Sequence, residues 1–252
     1  MNQMPPVTKN LLIINCLCFA AGLVGERYGI DLNDMLGLHF FMAEHFMPYQ
    51  LVTYLFMHGG WEHLFFNMFA LWMFGRIIEH VMGCKLFLIY YLLCGIGAVL
   101  VQELVQYVHY ISMDHVSKAM HFGQLIEGNF VVQDGMAVSI NLWNTVGASG
   151  AVYGILLAFG LLFPEERMFI FPLPVPIKAK YFVIGYALIE LFAARSNEGV
   201  AHYAHLGGML AGLILLIIWT DLGDNDLLNR LRRPFGRKGR KRDNINVYRR
   251  NY

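Results

Sequence analysis

Long apolar runs broken by shorter polar stretches recur along the whole chain. Six runs read as membrane-spanning helices: Leu11–Val24, Leu64–Ile78, Leu86–Val105, Val146–Phe163, Ala179–Ala194 and Ala204–Trp219. Crossing the hydrocarbon core takes about 20 residues. The shorter runs must therefore recruit flanking polar or aromatic residues, or meet a thin bilayer. The fold class expected is an all-α membrane protein, a six-transmembrane-helix bundle. The first run reads as a span rather than a cleaved leader, because its basic flank is Lys9 alone and its loss would cost the bundle a member. Two long segments separate the runs, about 25–62 and 107–145. The first holds apolar patches such as Leu36–Met42, suited to the interface. The second holds Met120–Ile126, expected as a surface helix, and then a polar stretch to Asn144. The division is a short N-terminal segment (1–9), one bundle domain (10–221) and a tail (222–252) expected to be disordered.

Composition agrees with lipid as the solvent. Of 252 residues, 57% are hydrophobic and 15% charged, against roughly 25% charged in an ordinary soluble domain. Charge placement sets an orientation. With both termini cytoplasmic, sixteen of the 19 basic residues lie inside, and only Arg27, Lys118 and Arg195 lie outside. That asymmetry is what the positive-inside rule requires, and a bacterial cytoplasmic (inner) membrane is the location expected. Ten basic residues fall in the tail, in runs such as Arg237–Arg242. They read as a topology anchor that can meet anionic lipid. No aromatic residue interleaves the run Arg237–Arg242, so nucleic acid is not an expected partner. Cys16, Cys18, Cys84 and Cys94 lie in or beside the runs and read as packing residues, with no disulfide framework and no metal site.

The chemistry concentrates in three places. Gly147-Ala148-Ser149-Gly150 opens the fourth run. Small neighbours expose the Ser149 hydroxyl, and a helix N-terminus favours the negative charge of an oxyanion; the same residues also suit plain small-residue helix packing. The sixth run opens with Ala204-His205-Leu206-Gly207-Gly208. It brings an imidazole to the outer level of Ser149, where His205 can serve as general base or can be hydrogen-bonded within the bundle. His202, just before it, reads as interfacial. Gly150 and Gly154 on one run, with Gly208 and Gly212 on the other, offer small faces through which the two helices can approach. Tyr153 lies one turn after Ser149, placed to stack on the histidine ring. The third place is His58-Gly59-Gly60-Trp61-Glu62-His63 followed by Asn67. His63 and Asn67 share a helix face. They either donate hydrogen bonds to an oxyanion or tie the first outer segment to the bundle. His58 reads as structural.

Together these motifs resemble the rhomboid family of intramembrane serine proteases, over about Gln50 to Leu213. The resemblance implies a six-helix bundle, a serine–histidine dyad (Ser149, His205) without an aspartate, and no metal or cofactor. It implies oxyanion donors at His63, Asn67 and the Ser149 backbone N–H, with Tyr153 stacked on the base and a structural carboxylate at Glu79. Gly147, Gly150 and Gly208 support the site. Implied substrates are single-span membrane proteins, cut in or near the transmembrane segment. Tyr49-Gln50 stands where many members carry a Trp-Arg pair, which puts that loop's anchoring in question. A catalytically inactive rhomboid-like membrane-protein-binding factor is the alternative; such proteins typically lack the serine, the histidine or both. A zinc protease is disfavoured for want of His-Glu-x-x-His, a haem carrier by the histidine spacings, and a transporter by the absence of repeats.

Overall fold

The computed structural model describes residues 3–121, 124–133, 135–169, 175–194 and 202–221; the basic tail and Arg195 lie outside the described residues. In chain order the first half runs α1 (Pro6–Arg27), α2 (Leu32–Leu36), β1 (Leu38–His39), α3 (Gln50–Thr53), α4 (Trp61–Ala70), α5 (Arg76–Met82) and α6 (Cys84–Ile111). The second half runs β2 (His115–His121), β3 (Gln124–Gln133), β4 (Met136–Ser139), β5 (Asn144–Thr145), α7 (Ser149–Leu162), β6 (Arg167–Met168), β7 (Ile177–Lys178), α8 (Ala179–Ala193) and α9 (His202–Asp221).

The described residues are mostly helical. Among them, four helices are long and apolar enough to cross a membrane: Pro6–Arg27, Trp61–Met82, Cys84–Ile111 and His202–Trp219. The second joins α4 to α5 through one π turn, Leu71–Gly75. Of the expected runs, Val146–Phe163 and Ala179–Ala194 become α7 and α8, with 14 and 15 residues, or about 21–23 Å at 1.5 Å per residue.

α7 is the centre of the bundle. Nine of its 14 residues are buried, as expected of a helix apolar on every side. It lies against α6 and α9 at backbone distance. A Cβ added to Gly154 would fall 2.5 Å from Cys94 Sγ, and one on Gly208 would fall 1.9 Å from the Gly150 carbonyl oxygen. Hydrophobic attraction does not draw helices together in lipid, so such dispersion-tight seams must hold them.

At the far end of the molecule, the start of α1 is tied to α5. Pro6 supplies the fixed φ of a first helical turn. The Val7 and Thr8 backbone N–H groups donate to Glu79 at 3.0 and 2.7 Å, and the Thr8 hydroxyl donates at 2.7 Å. Glu79 is 2% exposed, so this carboxylate caps a helix inside the bundle.

The outer segments form a second layer. β1 pairs antiparallel with β5, Leu38 opposite Thr145. Buried Gln50 anchors the first segment: its Oε1 accepts from His39 N and Met47 N, and its Nε2 donates to the Met35 and His45 carbonyls. Tyr49 Oη donates to Met35 O. The Tyr49-Gln50 pair therefore does anchor this loop. The surface helix expected at Met120–Ile126 is not formed. The described residues of that stretch, 120–121 and 124–126, belong to an antiparallel three-stranded sheet, β2–β3–β4, with Ala119 opposite Ile126 and Val131 opposite Val138. Seven residues are too few for periodicity to separate helix from strand, and Val116, Val131, Val132 and Val138 nearby favour the pleated alternative. Val131 of the sheet packs on Phe40, Ala43 and Ile140, which binds the two outer segments together.

Candidate active site

Ser149 is the first residue of α7, and the chain reaches it through a constrained turn. β5 is held by β1, and Gly147 N donates to Tyr54 O at 2.9 Å. Gly147 adopts φ 123°, which L side chains rarely take, and a Cβ there would fall 2.6 Å from the His63 ring. Glycine is required on both counts. The Ser149 N–H then belongs to the first turn of α7, where backbone donors have no intrahelical acceptor.

His205 stands in the first turn of α9. Its Nε2 lies 2.8 Å from Ser149 Oγ. One turn further along, Gly208 touches the Gly150 backbone, and that contact sets the separation of the two helices beside the pair. The Tyr153 ring lies flat on the imidazole, centroids 4.3 Å apart and planes 9° from parallel. One face of His205 is thus covered and its tilt fixed.

The second ring nitrogen of His205 has a partner too. Glu190, on α8, brings Oε2 to 3.0 Å from His205 Nδ1 and 2.6 Å from His202 Nδ1. The approach to His205 is off the line of its N–H, so it is a close ion-pair contact rather than a straight hydrogen bond. The Tyr153 hydroxyl donates to Glu190 Oε1. The carboxylate is 8% exposed, with His202 and His205 at 14% and 13%. His202 therefore faces into the bundle rather than the interface.

On the opposite wall, His63 is packed against Gly147, and the Asn67 amide donates to the His63 carbonyl at 2.9 Å, leaving its second N–H for another acceptor. His58 stacks edge-on to His63 at 5.1 Å. Burial, and then the neighbouring His63, push the His58 imidazole down to about 4, so it is neutral at physiological pH. Its buried ring, held edge-on to His63, suits a packing role. Among the described residues, two groups of side chains could hold a cation, Asp34–His39–His45 and Glu190–His202–His205, each with ligand atoms within 4.8 Å of one another.

The Rhomboid domain family matches residues 45–221. The chain belongs to the rhomboid family. Rhomboid-like protein 11, chloroplastic, of Arabidopsis thaliana is 29% identical over 212 residues, covering 74% of this chain and 61% of that protein. Rhomboid-like protein 16, chloroplastic, of the same plant is 28% identical over 211 residues, covering 82% and 60%. The human Presenilin-associated rhomboid-like protein, mitochondrial, is 27% identical over 185 residues, covering 71% and 38%. The chain thus spans about three fifths of the length of the two plant relatives.

Within this rhomboid chain the structure brings Ser149, His205 and Tyr153 together, with Gly147, Gly150 and Gly208 as the close-contact backbone around them. It differs from the expected two-residue arrangement by placing a carboxylate at the far nitrogen of the histidine. Sequence reasoning passed over Glu190, yet a signal was present. It is the one acidic residue in the run Ala179–Ala194, and an ionisable group inside a span marks function by default.

Proposed function

We propose that this rhomboid is an intramembrane serine endopeptidase that cuts single-span membrane proteins in or near their transmembrane segment. The observation that carries the reading is the 2.8 Å approach of His205 Nε2 to Ser149 Oγ, within hydrogen-bond reach for proton transfer. Ser149 Oγ attacks the scissile carbonyl carbon while its proton passes to His205 Nε2. The oxyanion so formed is held by the Ser149 N–H, His63 and Asn67. Collapse breaks the C–N bond, the leaving amine takes the proton from His205, and water repeats the sequence on the ester. No metal or cofactor is needed for these steps.

The same reading makes α7 and α8 the fourth and fifth of six spans, both shorter than a hydrocarbon core of about 30 Å. A short central helix lets its N-terminus begin below the outer surface, where Ser149 can meet a substrate helix and water. Both termini face the side rich in Lys and Arg. The bacterial cytoplasmic membrane is one bilayer of that kind, whereas the relatives named above are chloroplastic and mitochondrial.

The test is reconstitution of wild type and Ser149→Ala into liposomes with a panel of single-span proteins, alongside labelling by a fluorophosphonate. Cleavage and labelling by wild type alone is the expected result. Retention of substrate without cleavage or labelling would instead mark an inactive membrane-protein-binding factor.

A further inference from the structure

We propose that Glu190 is the positioning residue for the general base, so that the reacting unit is Ser149–His205–Glu190. This rests on the protease reading above. For Nε2 to accept the Ser149 proton, the neutral ring must carry its own proton on Nδ1, and that nitrogen is the one 3.0 Å from Glu190 Oε2. A carboxylate there selects the productive tautomer and stabilises the imidazolium formed during attack.

Glu190 is itself held from both sides. The Tyr153 hydroxyl donates to Oε1 while the Tyr153 ring covers His205. His202 Nδ1 donates to Oε2 at 2.6 Å. One tyrosine therefore fixes both the ring and the carboxylate that orients it. The carboxylate and the two imidazoles lie at similar, low exposure, where charge-assisted contacts are little screened. The oblique contact with Nδ1 suits a resting site, since catalytic hydrogen bonds often straighten only with substrate bound. The titratable groups packed around this unit are His63 from α4, Tyr153 from α7, Tyr186 from α8 and His202 from α9.

The decisive comparison is E190Q with E190D, each in liposomes against one cleaved substrate. Glutamine keeps the shape and loses the charge; aspartate keeps the charge and loses a methylene. A positioning carboxylate predicts kcat lower by about a hundredfold or more in E190Q with KM within about twofold, and a smaller loss in E190D. Fluorophosphonate labelling of Ser149 reports the same loss without any substrate. A purely structural glutamate would rank the variants the other way, and E190Q at least as fast as E190D, or a loss carried by KM with kcat unchanged, overturns the proposal. Tyr153→Phe supplies a third reading if E190Q does not fold. It keeps the stacked ring and frees Oε1, and should slow labelling by up to roughly tenfold; an unchanged rate counts against the proposal. Wild type that neither cleaves nor labels would sink the protease reading itself.

Discussion

Two of the buried glutamates, Glu79 and Glu190, lie at opposite ends of the bundle, alike in burial but not in company. Glu79 is 2% exposed and Glu190 6%. Glu79 accepts from three donors, and Glu190 accepts from two while lying against a third group. Those of Glu79 are two backbone N–H groups and a threonine hydroxyl, all at the start of α1. None of them can change charge near neutral pH, so Glu79 works as a helix cap in fixed surroundings. The partners of Glu190 are a tyrosine hydroxyl and the His202 imidazole, which donate to it, and the His205 imidazole in close contact, groups that can give up or share a proton. Burial alone therefore does not separate a structural carboxylate from a working one. The chemistry of the donors does. The contrast makes a general prediction: damage at the Glu190 end lowers rate, and damage at the Glu79 end lowers stability.

The largest effect belongs to the nucleophile. Ser149→Ala should abolish cleavage and fluorophosphonate labelling, a loss on the order of 10⁶ in kcat where a serine nucleophile has been removed elsewhere. Its Tm should move little, since one hydroxyl is lost. Residual turnover close to wild type would mean that Oγ is not the attacking atom.

Next comes the seam that sets the distance between nucleophile and base. A Cβ on Gly208 would fall 1.9 Å from the Gly150 carbonyl oxygen, and backbone cannot swing aside as a flexible side chain can. Even Gly208→Ala must separate α9 from α7, and Gly208→Val must do so further. A displacement of about 1 Å can cost on the order of a hundredfold in rate. Both variants should lose most activity, valine more than alanine, although neither touches a reacting atom. Gly208→Val at the wild-type rate would show that the seam is not what holds Ser149 and His205 in reach.

Much of this could be read in the residues. Ser149, His205 and Tyr153 each fell where a helix start or a one-turn spacing placed them, and the glycine pairs named the seam. Three features were hidden. Glu190 sits 41 positions beyond Ser149 on another helix, so no local spacing links them; only its charge inside an apolar run points to it. The strand pairing at Met120–Ile126, where a surface helix is expected, is hidden because pairing between distant strands decides a short apolar stretch. The role of Gln50 lay in four hydrogen bonds to backbone groups that come near only after the loop closes.

Glu79→Gln tests the other half of the comparison. The amide can accept with one oxygen, but its NH₂ would face either the Val7 N–H now on Oε1 or the Thr8 donors now on Oε2. A buried donor left without an acceptor costs about 1–3 kcal/mol. Tm should fall, while kcat of the molecules that remain folded should stay at the wild-type value. A fall in kcat with unchanged Tm would erase the distinction between the two glutamates.

The smallest effect is expected from a third glutamate, which has charged donors and no burial. Glu165 lies in the turn after α7 and pairs with Lys178 at 2.8 Å and with Lys180. Lys178 and then Lys180 hold its carboxyl down, from 4.5 to about 2. A carboxyl lowered in the folded state adds stability that is complete above its unfolded value and is lost as pH falls through the folded one. Any contribution from Glu165 should therefore be present at neutral pH and fade between about pH 4.5 and pH 2. Exposed pairs are weak and screened by salt, so Glu165→Gln should barely change Tm at pH 7, and 1 M salt should remove what difference there is. Cleavage should be unaffected, because the pair lies at the far end of α7 from Ser149. A Tm loss at pH 7 as large as that of Glu79→Gln would show that charged donors at the surface count as much as neutral ones in the interior.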